Sequence, residues 1–401
     1  MKQLAIFGGN PAFDKYVPIK KPQLGSIIQS ETFNERLKDV FTSGMFSGYK
    51  GKYTTTFEEE VAKIAGTKYA VAVSSCTSGL ILVLKHFIEQ SDVKYPTVLV
   101  PAFTFSATAH AIKWAGAGVV FVDVDEETCC MDPEQVKEEI ELSNVIGVLG
   151  VHLYGMPCHV KDLTEVCEEY NIPLIYDAAH ALGGKVDTEK IGTFGKANIF
   201  SFSPTKSFTA IEGGIVTTDD KELADFVRLM SNYGNEPDYS CKLPGLSARF
   251  NELNAIIGLE QLGQNVYDIL AKRKKYVEQY KRELEGITGI TFQFNPEQYH
   301  TTNYDFTIFI DETQFGLKAT EVQRILEAEN IGTKRYFAPA LPDLECYKVE
   351  NEYAEFPIAR KKAEQALSLP IHNYMSEQTI NKITGLIRKV FKHSVSIKEK
   401  L

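Results

Sequence analysis

Between residues 69 and 177 the sequence alternates continuous apolar runs with helical patterns, and no other feature restricts the fold as much. Residues 69–74, 97–101, 119–122 and 145–151 read as strands, and a further one over 173–176 ends at Asp177. Helical patterns fill the gaps, over 77–89, over 106–115, from Pro133 onward and over 160–170. Pro133 suits the first turn of a helix, where a missing N–H costs nothing. A strand that is apolar on both faces must be covered on both. The pattern therefore predicts an α/β fold with a mainly parallel sheet between helices. After residue 177 the rhythm changes. Residues 198–202 and 215–218 read as strands joined by a loop segment, and a long helical pattern runs over 251–285. Beyond it, strands over 291–292 and 306–310 and a helix over 320–329 predict a smaller α+β unit. A chain of 401 residues exceeds one ordinary core, and its 44% apolar content fills two. The expected division is 1–265 and 266–401, inside the long helical pattern.

Charge and cysteine content narrow the function classes. The formal net charge of −10 excludes a broad nucleic-acid footprint, which needs a basic face. An anionic ligand must then be held by local donors rather than by the field of the whole protein. The seven cysteines are odd in number and form no CxxC pair. Cys129 and Cys130 are adjacent, which suits neither a zinc knuckle nor a disulfide framework, so no metal is expected. Reduced thiols in a cytoplasmic protein are the expectation. The first residues lack the apolar stretch of a signal peptide, and no segment has the run of about 18 apolar residues that spans a bilayer. GxGxxG after a strand, GxxxxGK[ST], HExxH and GxSxG are all absent.

In open α/β sheets ligands sit outside the carboxyl ends of the strands, so the residues that follow each strand carry the chemistry. After the first strand comes Ser74-Ser75-Cys76-Thr77-Ser78-Gly79, small residues opening a helix, where free N–H groups suit a phosphate. After the second comes Pro101-Ala102-Phe103-Thr104-Phe105, which offers an aromatic face. Asp177 is a lone carboxylate at a strand end, followed by Ala178-Ala179-His180. Phe200-Ser201-Phe202-Ser203-Pro204-Thr205 leads to Lys206, and Glu212-Gly213-Gly214 follows. Taken singly, these read as a strand–helix junction, a core ring, a helix cap and a solvated lysine. Together they offer an anion cradle, a stacking ring, a carboxylate and an amine on successive strand ends. Pyridoxal 5′-phosphate needs that set: phosphate at a helix N-terminus, aldehyde on an amine, ring stacked and ring nitrogen held by a carboxylate.

At these residues the chain resembles the DegT/DnrJ/EryC1/StrS aminotransferases, pyridoxal phosphate enzymes of fold type I acting on nucleotide-linked keto-sugars and on cyclitols. The resemblance runs from Leu4-Ala5-Ile6-Phe7-Gly8-Gly9 to Leu367-Ser368-Leu369-Pro370. Its most specific parts are Tyr176-Asp177-Ala178-Ala179-His180-Ala181-Leu182-Gly183 and Ser201-Phe202-Ser203-Pro204-Thr205-Lys206. The resemblance implies a large domain with a seven-stranded sheet and a smaller C-terminal domain. It implies that Lys206 forms the internal aldimine and shuttles the proton, and that Asp177 pairs with the pyridinium nitrogen. His180 is implied near the ring hydroxyl, Phe105 on the ring, and Cys76, Thr77 and Ser201 on the phosphate. It also implies a homodimer with shared sites, in which the stretch from Gly245 to Phe250 reaches the partner's phosphate. Three positions depart from the family. Cys76 stands where Gly or Ala is common, Ser203 where His is frequent, and Ser247 where Asn is usual; the shorter Ser247 hydroxyl needs a water to span that gap.

The substrate is read from weaker signals. Thr333-Lys334-Arg335-Tyr336-Phe337 resembles the stretch that approaches the substrate in sugar-nucleotide members. Lys334 and Arg335 are candidates to grip a diphosphate, with Tyr336 beside them, and a solvated pair in a turn is the plain alternative. Lys15, Lys20 and Lys21 form a second candidate basic patch. The expected reaction moves an amino group from glutamate or glutamine to a keto-sugar, with a keto-cyclitol as alternative. A related sugar dehydratase replaces the aldimine lysine with His, whereas this chain keeps Lys206. Lys206 and Asp177 also argue against a regulator without turnover.

Overall fold

The computed structural model describes residues 3–21, 24–142, 144–236, 238–241, 243–263 and 266–401. Seven strands in the described residues form the main sheet. They are β1 (Tyr69–Val73), β2 (Thr97–Pro101), β3 (Gly118–Val122), β4 (Val145–Val151), β5 (Leu174–Asp177), β6 (Ala197–Ser201) and β7 (Gly214–Thr218). Their order is β1-β7-β6-β5-β4-β2-β3. The pairs from β6 through β5, β4 and β2 to β3 are parallel, and β7 runs antiparallel to both β1 and β6. The α/β fold with a mainly parallel sheet is therefore as the apolar runs predict. Except at the edge strand β3, these strands are buried almost throughout, the consequence of helices covering both faces.

The sheet order decides where a ligand can sit. After β2 the chain goes out to β3, then returns to the other flank of β2 as β4. At such a reversal the loops diverge and leave a crevice beyond the strand ends. Phe103 to Phe105 after β2 and His152 to Tyr154 after β4 flank that crevice. An aromatic peg fixes the neighbouring loops. Phe57 is fully buried, stacked 5.6 Å from Phe250 and edge-on to Phe202 at 4.9 Å. Each such contact adds about 0.5–1.5 kcal/mol beyond the area buried. It thereby ties the chain after β6 to the stretch that ends at Phe250.

A second core lies around Tyr280, Phe306, Ile308, Ile325, Leu367 and Ile387. Its sheet has β9 (Phe306–Ile310) in the centre, antiparallel to β8 (Ile290–Phe292) and β10 (Ala366–Leu369). β10 is not expected from the sequence, because its four residues follow directly on the helix Pro357–Gln365 and are too few to establish a period against it. Helices Glu252–Gly263 and Val266–Leu284 occupy the span of the long helical pattern, and the expected boundary at Asn265 lies outside the described residues. Val266 and Leu270 pack in the first core, and Tyr276, Tyr280 and Leu284 in the second. Leu4, from the N-terminal arm, also packs in the second core.

Candidate active site

The helix Cys76–Glu89 starts directly after β1, and Ser75 and Ser78 cap each other in a reciprocal box. That box leaves the N–H groups of Cys76 and Thr77 without an acceptor among the described residues. Gly214 makes room for them. A Cβ there would lie 2.4 Å from the Cys76 nitrogen, so β7 can approach the helix end only as glycine. Ser201 closes the same region from the end of β6 and is half-buried. Ile211, two residues before Gly213, holds φ at +67°, a strained conformation for a β-branched residue.

Asp177 is buried at the end of β5, 7% exposed. Thr108 Oγ1 donates to one carboxylate oxygen at 2.8 Å, and the Ala179 N–H donates to the other at 3.1 Å. Cys76 Sγ lies 3.9 Å from that second oxygen and 3.5 Å from the Ile199 carbonyl. Burial raises the Asp177 pKa, against the pull of Thr108, Ala179 and Lys206. A cation brought beside it restores the charged form. Thr108 stands in the first turn of the helix Ser106–Ala115, for which Phe105 is the residue at the cap. Phe105, capping the helix that carries Thr108, presents an exposed ring (56%), the kind of platform that a planar cofactor needs.

Lys206 lies in the loop after β6. Its Nζ sits 4.7 Å from the centre of the Tyr304 ring, and burial pulls its pKa below the ordinary lysine value. His180 stacks on the same ring at 4.1 Å, and burial, then Lys206 and Lys20, hold the imidazole neutral. A small cleft lined by His180, Ser201, Lys206 and Tyr304 marks the meeting point. The structure thus gathers Cys76, Thr77, Asp177, His180, Ser201 and Lys206, with Phe105 at the edge.

Other expected site residues fall elsewhere. Ser247 is exposed and makes no side-chain hydrogen bond among the described residues. Lys334 is exposed, its backbone paired with Ser368. Arg335 spends its fork on the end of the helix Pro357–Gln365, donating to the carbonyls of Ala363 at 2.6 Å and Glu364 at 2.8 Å. Tyr336 is half-buried, and its carbonyl accepts from the Tyr154 hydroxyl. The next ring, Phe337, comes to 5.9 Å of Phe105 and so brings this stretch to the site. Lys15 and Lys21 are exposed, but Lys20 turns inward to Asp305 and joins no basic patch. Sequence reasoning missed Thr108, Tyr304 and Asp305, while Phe337 fell in the 333–337 stretch already singled out. Only Thr108 carried a local signal, its place in the first turn of the helix that follows Phe105.

The model of the DegT/DnrJ/EryC1/StrS aminotransferase family matches residues 28–388. This chain belongs to that family. Among curated proteins it is 28% identical to the dTDP-4-amino-4,6-dideoxy-D-glucose transaminase of Shigella dysenteriae, over 94% of this chain and 100% of that one. It is 31% identical to the spore coat polysaccharide biosynthesis protein SpsC of Bacillus subtilis (strain 168), over 94% and 97%. The crystal structure of DesI, determined in the presence of its TDP-sugar product, superposes with a TM-score of 0.89 at 31% identity, covering 99% of this chain and 98% of that one. As a member of that family the chain is an aminotransferase, with pyridoxal 5′-phosphate as its cofactor. The donor set fits that group, with two free N–H groups at a helix end, an open ring, a buried carboxylate and a lysine of lowered pKa.

Proposed function

We propose that this aminotransferase moves an amino group from glutamate or glutamine to a keto-sugar carried on a nucleotide, with Lys206 and Asp177 as catalytic residues. The observation that carries the site assignment is the convergence of Lys206 and the buried Asp177 at neighbouring strand ends. The nucleotide-sugar reading rests on relatives named for such substrates, among them the Shigella transaminase and a GDP-perosamine synthase of Vibrio cholerae.

Bound pyridoxal phosphate supplies an electron sink for the carbon that loses its proton. Lys206, whose pKa burial lowers, would hold the cofactor through its aldehyde, and its Nζ would carry that proton. Asp177, aimed by Thr108, would keep the ring nitrogen protonated. Phe105 would stack on the ring, and His180 would stand by its hydroxyl. The N–H groups of Cys76 and Thr77 and the hydroxyl of Ser201 hold the phosphate. Lys334 and Tyr336 face the sugar nucleotide; Arg335 supports them by closing the helix behind.

A homodimer with shared sites and a cytoplasmic location belong to the same reading. Phe41, Met45, Phe46 and Leu246 are exposed apolar side chains, and backbone bonds join residues 46–48 to Phe250 and Glu252, so they border the stretch that carries Ser247. A second copy would cover them and receive Ser247 at its phosphate site. All seven cysteines are free, as in a reducing compartment. Among the described residues no helix is long and apolar enough to cross a membrane.

The test has two parts. Borohydride reduction of the yellow enzyme should leave the adduct on Lys206, and Lys206→Ala should not turn over. An adduct on another lysine, such as Lys196, removes the assignment. Keto-sugar nucleotides and keto-cyclitols are then screened with glutamate and glutamine. Turnover of cyclitols alone would overturn the nucleotide-sugar reading.

A further inference from the structure

Beneath the Tyr304 ring, on the path from the N-terminal arm to Lys206, lies a buried ion pair. Lys20 Nζ is 2.7 Å from Asp305 Oδ1, and the two side chains are only 5% and 1% exposed. The same ammonium donates to the Tyr304 carbonyl and stands 3.9 Å from the centre of the Tyr304 ring. Tyr304 in turn meets the active site at three points. Its ring stacks on His180 at 4.1 Å, Lys206 Nζ rests 4.7 Å from its centre, and its hydroxyl donates to Thr205 Oγ1 at 3.2 Å.

Holding the arm in place does not require this pair. The arm is already tied by Glu329, which accepts from the N–H groups of Ala5 and Ala12, and by backbone bonds joining Val17 to Asn330 and Gly332 and Ile19 to Ile371. Burying two charges carries a desolvation cost that a latch of backbone bonds avoids. What the pair adds is a cation fixed against one ring. An ammonium over an aromatic face is attracted by the ring quadrupole, more strongly where water is excluded.

We propose that Lys20, anchored by Asp305, is a positioning residue that clamps the Tyr304 ring against His180 and so sets where Lys206 Nζ rests. Arg273 completes the anchor. It is buried, and it donates to the carbonyls of Asn303 at 3.0 Å and Tyr304 at 2.8 Å, so the backbone on both sides of the ring is held. Burial also draws Lys20 down to about 8, with Asp305 opposing the fall. The titratable groups around Lys206 are Cys76, Asp177, His180, Lys20, Tyr304 and Asp305. The proposal rests on Lys206 being the cofactor's amine, which reduction and peptide mapping of the wild-type enzyme test separately.

The experiment uses the holoenzyme. Lys20→Met with Asp305→Asn removes both charges at similar volume, so neither is left buried alone. Tyr304→Leu removes the ring and keeps the pair; Tyr304→Phe keeps the ring. The charge-free pair and Tyr304→Leu should each lower kcat on the order of ten- to a hundredfold, the scale of a misplaced catalytic group, with KM within about twofold. Both should move the pH midpoint of the visible cofactor band by the same amount. Combining them should add nothing further, because they release the same ring. Tyr304→Phe, which loses only the bond to Thr205, should retain most of the kcat that Tyr304→Leu loses. Wild-type kcat and midpoint in the charge-free pair would overturn the proposal, and so would additive losses in the combination. Should the pair variant not fold, Tyr304→Leu and Tyr304→Phe decide. Wild-type kcat in Leu, or equal losses in Leu and Phe, overturns the clamp.

Discussion

Asp177 shows how a single residue's role depends on what touches it. Its carboxylate has an elevated pKa by burial, yet receives Thr108 on one oxygen and Ala179 on the other, so it is aimed before any cofactor arrives. Asp177→Asn keeps the shape and loses the charge. Cofactor should stay bound through its phosphate while kcat falls at least about 10²-fold, as when a pre-placed charge is removed from a transition state. Absorbance and steady-state rates measure the two effects; near-normal turnover would make Asp177 a structural cap. Thr108→Val should act in the same direction, because a hydrogen bond to a charged group contributes about 1.5–3 kcal/mol. Cys76, at the carboxylate's other side, keeps its thiol protonated through burial, and its backbone N–H is the contact that matters.

At the scale of elements, the loop over 333–339 is where position in sequence and position in space part company. Arg335 lies next to the residues that border Phe105, but its guanidinium closes the helix Pro357–Gln365 by binding its last carbonyls. A helix end leaves four carbonyls without partners, and a cation there is favourable. Arg335→Ala should therefore lower stability by about 1–3 kcal/mol, seen as a shifted denaturation midpoint. The KM for a sugar nucleotide should change little. A large rise in that KM with unchanged stability would restore Arg335 as a diphosphate ligand. Lys334→Ala should do the reverse, raising that KM without moving the midpoint.

For the whole molecule, a dimer with shared sites makes a quantitative prediction. Lys206→Ala removes the amine, and Ser247→Asp sets a negative charge against the phosphate. Each homodimer should be inactive. After subunit exchange half the dimers are hybrids, and each hybrid holds one site with both lesions and one with neither. Activity should recover to about a quarter of wild type. Zero recovery, with exchange proven by tagged subunits and Ser247→Asp inactive alone, would place each site within one chain. Lys206 chemistry would survive that result.

How much of this was legible beforehand follows from range. Apolar strands, the helix after Ser75, Asp177 at the end of β5 and Lys206 after β6 are local features, since a doubly covered parallel sheet writes continuous apolar runs and exposes its strand ends. The order β1-β7-β6-β5-β4-β2-β3 and the antiparallel β7 were not legible, because strand neighbours are chosen by packing between distant segments. Thr108 could have been found from its place in the first turn of the helix that follows Phe105. Lys20, Tyr304 and Asp305 could not, being 284 or more residues apart along the chain for Lys20 and its partners. Lys20 read as one of three surface lysines until the fold buried it against Asp305, and Arg335 read as an anion grip until a helix end claimed its donors. Sequence alone determined which residue types stand at the strand ends, since that depends on local burial. Tertiary structure alone decided which partners each side chain meets, since buried charges and donors must be satisfied by whatever the folded chain brings to them.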